Sequence, residues 1–417
     1  MSKNETAVLK SYEAAKAVFA DFGVDAEAAM NKAAQIPVSL QCWQGDDVKG
    51  FDSVGAASQN LVTGNYPGAA RNGAELRADI DEAFSFSPSE RKVNIHSMYG
   101  EGGKDRKDVT FADFKKWIDW AGAKGYGVDF NPSFFTHKMM DGNLSLTSMK
   151  KEVRDYWIEA GAGSREIAYQ AGKALGKVCV NNIWIPDGMK DIPADRLRFR
   201  NLLTDSLDKV LAKKYDSKYM LDVLEGKLFS IGAESFTAGS HEYYLAYAIK
   251  NNIGVTMDTG HYHLTESVAD KISAVAPFIK CILLHVSRGV RWDSDHVVVQ
   301  SDELLSLFEE ITRGGFYNKV HIGLDYFDAS INRVAAWAIG LRAVSKAILT
   351  SLLQPYKLLI DAESKYDFTA RLLLTDELKN LPYSAVWDYL LLKKGIPAGK
   401  EFLDGIKQYE AKVLSKR

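Results

Sequence analysis

Eight short apolar runs, at residues 38–42, 93–95, 127–130, 178–183, 219–224, 253–257, 281–284 and 320–324, alternate with longer stretches of helical spacing. This alternation restricts the architecture more than any other feature, because strand, helix and strand in succession imply parallel pairing through a crossover. Segments 111–124, 164–175 and 302–312 supply crossover helices. Eight such units predict an α/β fold, the closed (β/α)8 TIM barrel; an open, doubly wound sheet is the alternative. Ligand-type residues follow several different runs, which suits the C-terminal mouth of a barrel better than the single switch point of an open sheet.

The barrel is expected over residues 36–340, after an N-terminal helical segment at 1–35. That first helix carries Leu9, Tyr12, Val18, Phe19 and Phe22 on its apolar side. Residues 341–417 read as purely helical, with periodic stretches at 344–353, 367–374, 383–391 and 400–414. Such an appendage usually packs on a neighbour, so an oligomer is expected. Between Gly45 and Gly73 the chain also holds Gly50, Gly55, Gly64 and Gly68, which predicts a long loop after the first strand, a lid or binding element.

Lys plus Arg total 52 against 54 Asp plus Glu, a formal charge of -2, so nothing draws the chain toward nucleic acid or an anionic membrane. A small neutral substrate fits better. Cys42, Cys179 and Cys281 lie far apart in apolar runs without metal-site spacing, and read as reduced thiols of a cytoplasmic protein. Glu5, Glu13, Asp21 and Asp25 interrupt the N-terminal region, so no signal-type apolar core is expected, and no apolar run approaches the ~20 residues of a membrane helix. Gly161-Ala162-Gly163 lacks a third glycine and Gly399-Lys400 is followed by Glu401, so no nucleotide loop is expected.

Glu225, Asp258, His261, His285, Asp293, Asp295 and Asp325 stand at or just past the ends of the later runs. Clustered carboxylates repel by roughly 4 kcal/mol per close pair at an effective dielectric near 20, and divalent cations are the simplest relief. A cysteine-free oxygen and imidazole set favours Mn2+ first, with Co2+, Zn2+ or Mg2+ behind it, at two sites. Glu225 and Lys227 are two apart and point to one side of an extended segment, so Lys227 can donate to a substrate oxygen while Glu225 holds metal. Gly260 permits the turn that brings Asp258 and His261 onto neighbouring ions, and Asp293 and Asp295 share one side of an extended loop. His263 reads as a supporting residue. Each has a plainer reading: a surface ion pair, a helix cap, a core histidine, a solvated loop.

His96 ends the second run; Phe134 and Phe135 follow the third, and Asn181, Asn182 and Trp184 the fourth. The aromatics are either helix-on-barrel core or a platform for the C–H face of a sugar, with His, Asn and Lys donors at its rim. Trp43 to Asp47, after the first run, reads as a cover for that pocket or as a structural turn.

Together these residues resemble the L-rhamnose isomerases over nearly the whole chain. The resemblance is carried by Gln41-Cys-Trp-Gln-Gly-Asp-Asp47, Gly64-Asn-Tyr-Pro-Gly68, Asn181-Asn-Ile-Trp-Ile-Pro-Asp-Gly-Met-Lys190, Lys227-Leu-Phe-Ser-Ile-Gly-Ala-Glu-Ser235, His285-Val-Ser-Arg288, Arg291-Trp-Asp-Ser-Asp-His296 and His321-Ile-Gly-Leu-Asp325. It implies a homotetrameric barrel that uses Mn2+ to interconvert L-rhamnose and L-rhamnulose. It further implies a structural metal on Glu225, Asp258, His285 and Asp325, and a catalytic metal on His261, Asp293 and Asp295. Lys227 resembles the family's substrate-contacting lysine and His96 a pocket histidine; Trp184 and Phe134 are expected beside them as substrate-binding walls. Lewis-acid polarisation of O1 and O2 favours a direct hydride shift, with Asp293 or Asp325 helping to shuttle hydroxyl protons and His96 assisting binding or ring opening. Thr259 stands where Ala is expected, Gly289 where Pro is usual, and 56–61 departs from the familiar glycine-rich lid. The rival readings are a barrel metallohydrolase and a sugar-binding protein without catalysis.

Overall fold

The computed structural model describes residues 5–52 and 63–417, so the expected lid at 56–61 lies outside the described residues. Eight parallel strands close a barrel: β1 (Pro37–Gln41), β2 (Glu90–His96), β3 (Gly127–Asn131), β4 (Cys179–Trp184), β5 (Met220–Glu225), β6 (Gly254–Asp258), β7 (Ile282–Val286) and β8 (Val320–Leu324). Closure runs from β8 back to β1, with Val38 opposite Ile322. The strands outrun their apolar segments, because ladder hydrogen bonds continue through polar residues. Glu225 and Asp258 therefore close their strands, and His285 lies inside one.

The barrel interior changes character along its axis. Near the strand N-termini Lys92 Nζ meets Asp129 Oδ1 at 2.6 Å. Val180, Val223, Cys281 and Leu283 form an apolar cluster separate from those of the helical layer. Above them, Asn182, Glu225, Asp258 and His285 are all buried. This apolar cluster belongs to β4, β5 and β7, whereas β1 and β2 bury polar Ser39 and Asn94.

Helix Arg333–Leu353, capped by the Asn332 side chain on Ala335 N, begins before residue 341 and packs against β1 and the helices Asp302–Arg313 and Ala26–Gln35. By length and hydropathy it passes for a membrane span, yet 78% of that window is buried inside the protein. It is apolar all round because it is covered on all sides.

The first helix, Glu5–Asp21, buries Val8, Tyr12, Ala15 and Phe19 rather than Leu9 and Val18, which are exposed. Its face is set by the helix Tyr383–Lys394, on which Tyr12 stacks against Tyr389 at 3.8 Å. Tyr356–Ser364 is a helix that the periodicity reading left out. With Phe368–Glu377 it forms a hairpin whose second helix buries no residue.

Candidate metal centre and substrate cavity

The register of the later strands brings the ligand residues to one level. Asp258 lies opposite His285 across β6 and β7, and Trp184 opposite Glu225 across β4 and β5. The ladders place Glu225, Asp258 and His285 at the barrel mouth, and the loops after β6 and β7 bring His261, Asp293 and Asp295 to them.

Two groupings result. Glu225, Asp258, His285 and Asp325 each offer a ligand atom, all within 4.8 Å of one another, and all four are buried. Asp258, His261 and Asp293 form a second set within the same limit. The first is the foursome that the resemblance implies for a structural ion. The second contains His261 and Asp293 as expected, but Asp258 completes it where Asp295 was expected. The loop turns through a left-handed residue at Asp295, φ 45°, and Asp295 lines the cavity beside Asp293 without joining either group of ligand atoms.

Hydrogen bonds orient each carboxylate and leave selected oxygens free. Asp258 Oδ1 accepts from Ser287 Oγ at 2.9 Å and Gly260 N at 2.7 Å, while Oδ2 has no partner. A Cβ on Gly260 would sit 2.7 Å from both Ser287 Oγ and Asp293 Oδ1, so only glycine admits that approach. Asn182 Nδ2 donates to Glu225 Oε2 at 2.6 Å, and Lys227 Nζ lies 2.7 Å from Asp293 Oδ2. His285 Nδ1 lies 3.0 Å from Asp325 Oδ2 and 3.4 Å from Glu225 Oε1. Among the described residues, Asp258 Oδ2, Asp293 Oδ1 and Asp325 Oδ1 are buried without a partner. Buried oxygens are otherwise satisfied almost everywhere in proteins, so three together in a carboxylate and imidazole cluster fit a set of cation ligands.

The charges agree. Among the described residues, five carboxylates face one ammonium, that of Lys227. Burial, then the negative charges of Asp325 and Glu225, push the Asp258 carboxyl well above its usual range. Asp295 is raised by burial and by Asp293. Burial works against charge on Lys227, yet Asp293 and Asp295 outweigh it and keep the amine protonated. At Glu225 burial is likewise outweighed, by the imidazoles of His285 and His261 and by the Asn182 amide, and the carboxyl is held down at about 2.

The site opens into a cavity of about 830 Å³ lined by Trp43, Phe135, Trp184, Phe327, Lys227 and the carboxylates Asp293, Asp295 and Asp325, among others. Trp43 and Phe135 meet at 6.2 Å between ring centroids, Phe135 and Trp184 at 5.3 Å, and Lys227 Nζ lies 5.2 Å from the Trp184 ring.

Several expected contributors stand elsewhere. Phe134 is fully buried against Trp157 in the helical layer, and its neighbour Phe135 lines the cavity instead. His96 has no exposed surface: it stacks under Trp43 at 4.2 Å and its Nε2 lies 3.0 Å from Gln41 Oε1. Burial, with His285 next in order, pulls its pKa down to about 3, so the ring is neutral. Asn181 bonds Asp222, whereas Asn182 faces the metal centre. His263 is exposed and bonds Thr265. Asp46 and Asp47 bind Tyr99 and Arg333 rather than the cavity. Ser287 went unread in the sequence; its signal was its position two residues after His285 on the same side of the chain.

Comparison with known proteins follows the geometry. A family profile described as L-rhamnose isomerase (RhaA) matches residues 6–417. A relative from Mannheimia succiniciproducens, named L-rhamnose isomerase, is 49% identical over 98% of this chain and 99% of its own. One from Rhodopirellula baltica with the same name is 47% identical over 98% of this chain and 96% of its own. A third, from Listeria monocytogenes serotype 4a, is 45% identical over 99% of both.

Proposed function

The chain belongs to the L-rhamnose isomerase family, and on that premise we propose that it interconverts L-rhamnose and L-rhamnulose by a 1,2-hydride shift at two divalent-metal sites. The observation that carries the mechanism is the paired cluster of buried ligand atoms at the barrel mouth, three of them oxygens without partners. The metallohydrolase and the binding protein lose their support to the family match.

Glu225, Asp258, His285 and Asp325 would hold one ion, and His261, Asp293 and Asp295 the other, with Asp258 within reach of both groups. Bound cations, Mn2+ by our assignment, supply Lewis acidity toward O1 and O2 of the open-chain sugar. Lys227, oriented by Asp293 and by the Trp184 face, donates to a reacting oxygen. Asp293 and Asp325 would orient a water that takes up and returns the hydroxyl protons, since their own unpaired oxygens are left to the cations. Glu225 is a poor base for the C2 hydrogen, since Asn182 and two imidazoles engage its oxygens. The neutral His96 is shut behind Trp43, where it supports the wall that Trp184 and Phe135 continue. With no free base at the C2 hydrogen among the described residues, the hydrogen moves from C2 to C1 directly.

We assign a homotetramer in the cytoplasm. Phe368, Leu372 and Leu373 are 53%, 68% and 63% exposed on a helix that buries nothing, which is apolar surface suited to a neighbouring copy. Helices Glu5–Asp21 and Ala26–Gln35 pack on Tyr383–Lys394 and Arg333–Leu353, which supports a division at 1–35, 36–340 and 341–417. Three buried free cysteines fit a reducing compartment.

The test is isomerisation of L-rhamnose in D₂O, before and after chelation. Ketose should form only with metal restored, and C1 of L-rhamnulose should carry hydrogen rather than deuterium. Ketose formation by metal-free protein, or deuterium at C1 after one turnover, would overturn the mechanism.

A further inference from the structure

The turn after β3 is built against its own preferences. Ser133 and Thr136 both adopt left-handed backbone, φ 54° and 45°, a region that costs a non-glycine residue and a β-branched one most of all. Between them Phe134 enters the core and Phe135 the cavity, so the two strained residues decide which ring faces the sugar. Something must hold them there.

Arg106 does so from an element distant in sequence. Its side chain is 1% exposed. Nη1 donates to Ser133 O at 2.7 Å and Phe135 O at 2.5 Å, and Nη2 reaches Thr136 O at 3.5 Å. Nε and Nη2 also grip Asp52 Oδ2, at 3.0 and 2.7 Å. One planar fork thus binds the carbonyls on both sides of Phe135 and neutralises its charge on a carboxylate from the segment after β1. Lysine offers a single point charge and cannot reproduce that fan of donors.

We infer that Arg106 is a positioning residue for substrate binding, locking Phe135 into the aromatic wall through the carbonyls of Ser133, Phe135 and Thr136. It touches neither the ligand carboxylates nor Lys227, so its loss acts on the wall and not on the metal centre. The inference rests on the sugar site proposed above.

Kinetics and a structure test it together. Arg106→Met should raise KM for L-rhamnose about tenfold while kcat stays within about threefold, in the range expected when an apolar pocket is disturbed. Mn2+ affinity by calorimetry should not change. Arg106→Lys should recover part of the KM, and Asp52→Asn should shift it in the same direction as Arg106→Met by less. A merely structural residue would instead lower the melting temperature and active fraction, and so kcat, at unchanged KM; that pattern overturns the inference. Should Arg106→Met fail to fold, the Lys and Asn variants carry the same comparison. A crystal structure of Arg106→Met gives a readout independent of turnover: Phe135 should leave its contacts with Trp43 and Trp184, and an unmoved loop overturns the inference. Wild-type protein inactive on L-rhamnose, with Phe135 displaced in that structure, would refute the sugar reading and leave the clamp standing.

Discussion

The two ends of the barrel bury charge in opposite ways. At the N-terminal end Lys92 Nζ pairs with Asp129 Oδ1, Asp129 also accepts from Val180 N at 2.8 Å, and Lys92 donates to Val178 O at 3.1 Å. Just outside, Arg165 forks onto both oxygens of Asp222. At the C-terminal end carboxylates crowd together around Lys227, with three oxygens unpartnered. Burial is similar at both ends, so burial does not distinguish a stabilising charge from a functional one. Satisfaction does: the first arrangement is complete as it stands, and the second is complete only with cations.

Asp258→Asn should break this contrast most severely. Asp258 belongs to both ligand groupings, so isomerase activity should fall by about three orders of magnitude or more, the scale of losing charge stabilisation at a reacting centre. The folded protein should not suffer. Asn keeps an acceptor for Ser287 and Gly260, removes one of the crowded negative charges and gains a donor toward its neighbours. Chelator-treated variant should melt at or above the temperature of chelator-treated wild type. A clear drop would mean that this carboxylate serves the fold.

Lys92→Met should do the reverse. It strips Asp129 of its cation while leaving the carboxylate buried, which costs about 3–5 kcal/mol. Because Lys92 and Asp129 bond one another and the backbone of Val178 and Val180, and none of the carboxylates at the mouth, kcat and KM of the molecules that fold should be unchanged. Urea unfolding and active-site titration separate the two quantities. A change in KM would show that the ends communicate.

Sequence reading reaches the first kind of order better than the second. Eight strands were readable because buried parallel strands are continuous apolar runs, and the ligand residues because they interrupt such runs. Strand ends shifted by up to three residues, since hydrogen bonding does not stop where hydrophobicity does. Phe134 and Phe135 exchanged places because alternation fails across a turn containing left-handed Ser133 and Thr136, and no residue type announces that conformation. Arg106 and Asp52 were silent for the same reason: their partners are mostly carbonyls, which every residue carries. Asp258 was assigned to one ion, and its second grouping follows from the packing around Gly260, a distance that spacing does not encode.

Ser287→Ala probes the boundary between positioning and binding at the mouth. It removes one of two donors that fix Asp258 Oδ1, and loss of such a support typically weakens metal binding about 10–100-fold. Calorimetric titration with Mn2+ should show that loss without a change in stoichiometry. Unaltered affinity would mean that Gly260 N alone orients the carboxylate.

The smallest effect belongs to an exposed pair close to the N-terminal end. Lys213, on the loop that leads into β5, bonds Glu166, whose side chain is 36% exposed. Lys213 first, then Gln170, holds the Glu166 carboxyl down at about 2, below its usual 4.5. A depressed carboxyl contributes stability that is fully present above its unfolded pKa and is lost as pH falls through the folded one. The loss therefore falls between about pH 4.5 and 2. Solvent screening limits the contribution to about 0.2–1 kcal/mol, well below that of Lys92 and Asp129. Glu166→Gln should lower stability by that amount at pH 7, by nothing at pH 2, and by less in high salt. A loss at pH 7 comparable to that of Lys92→Met would show that charge at this end stabilises regardless of burial, and the contrast between the two ends would need a different cause.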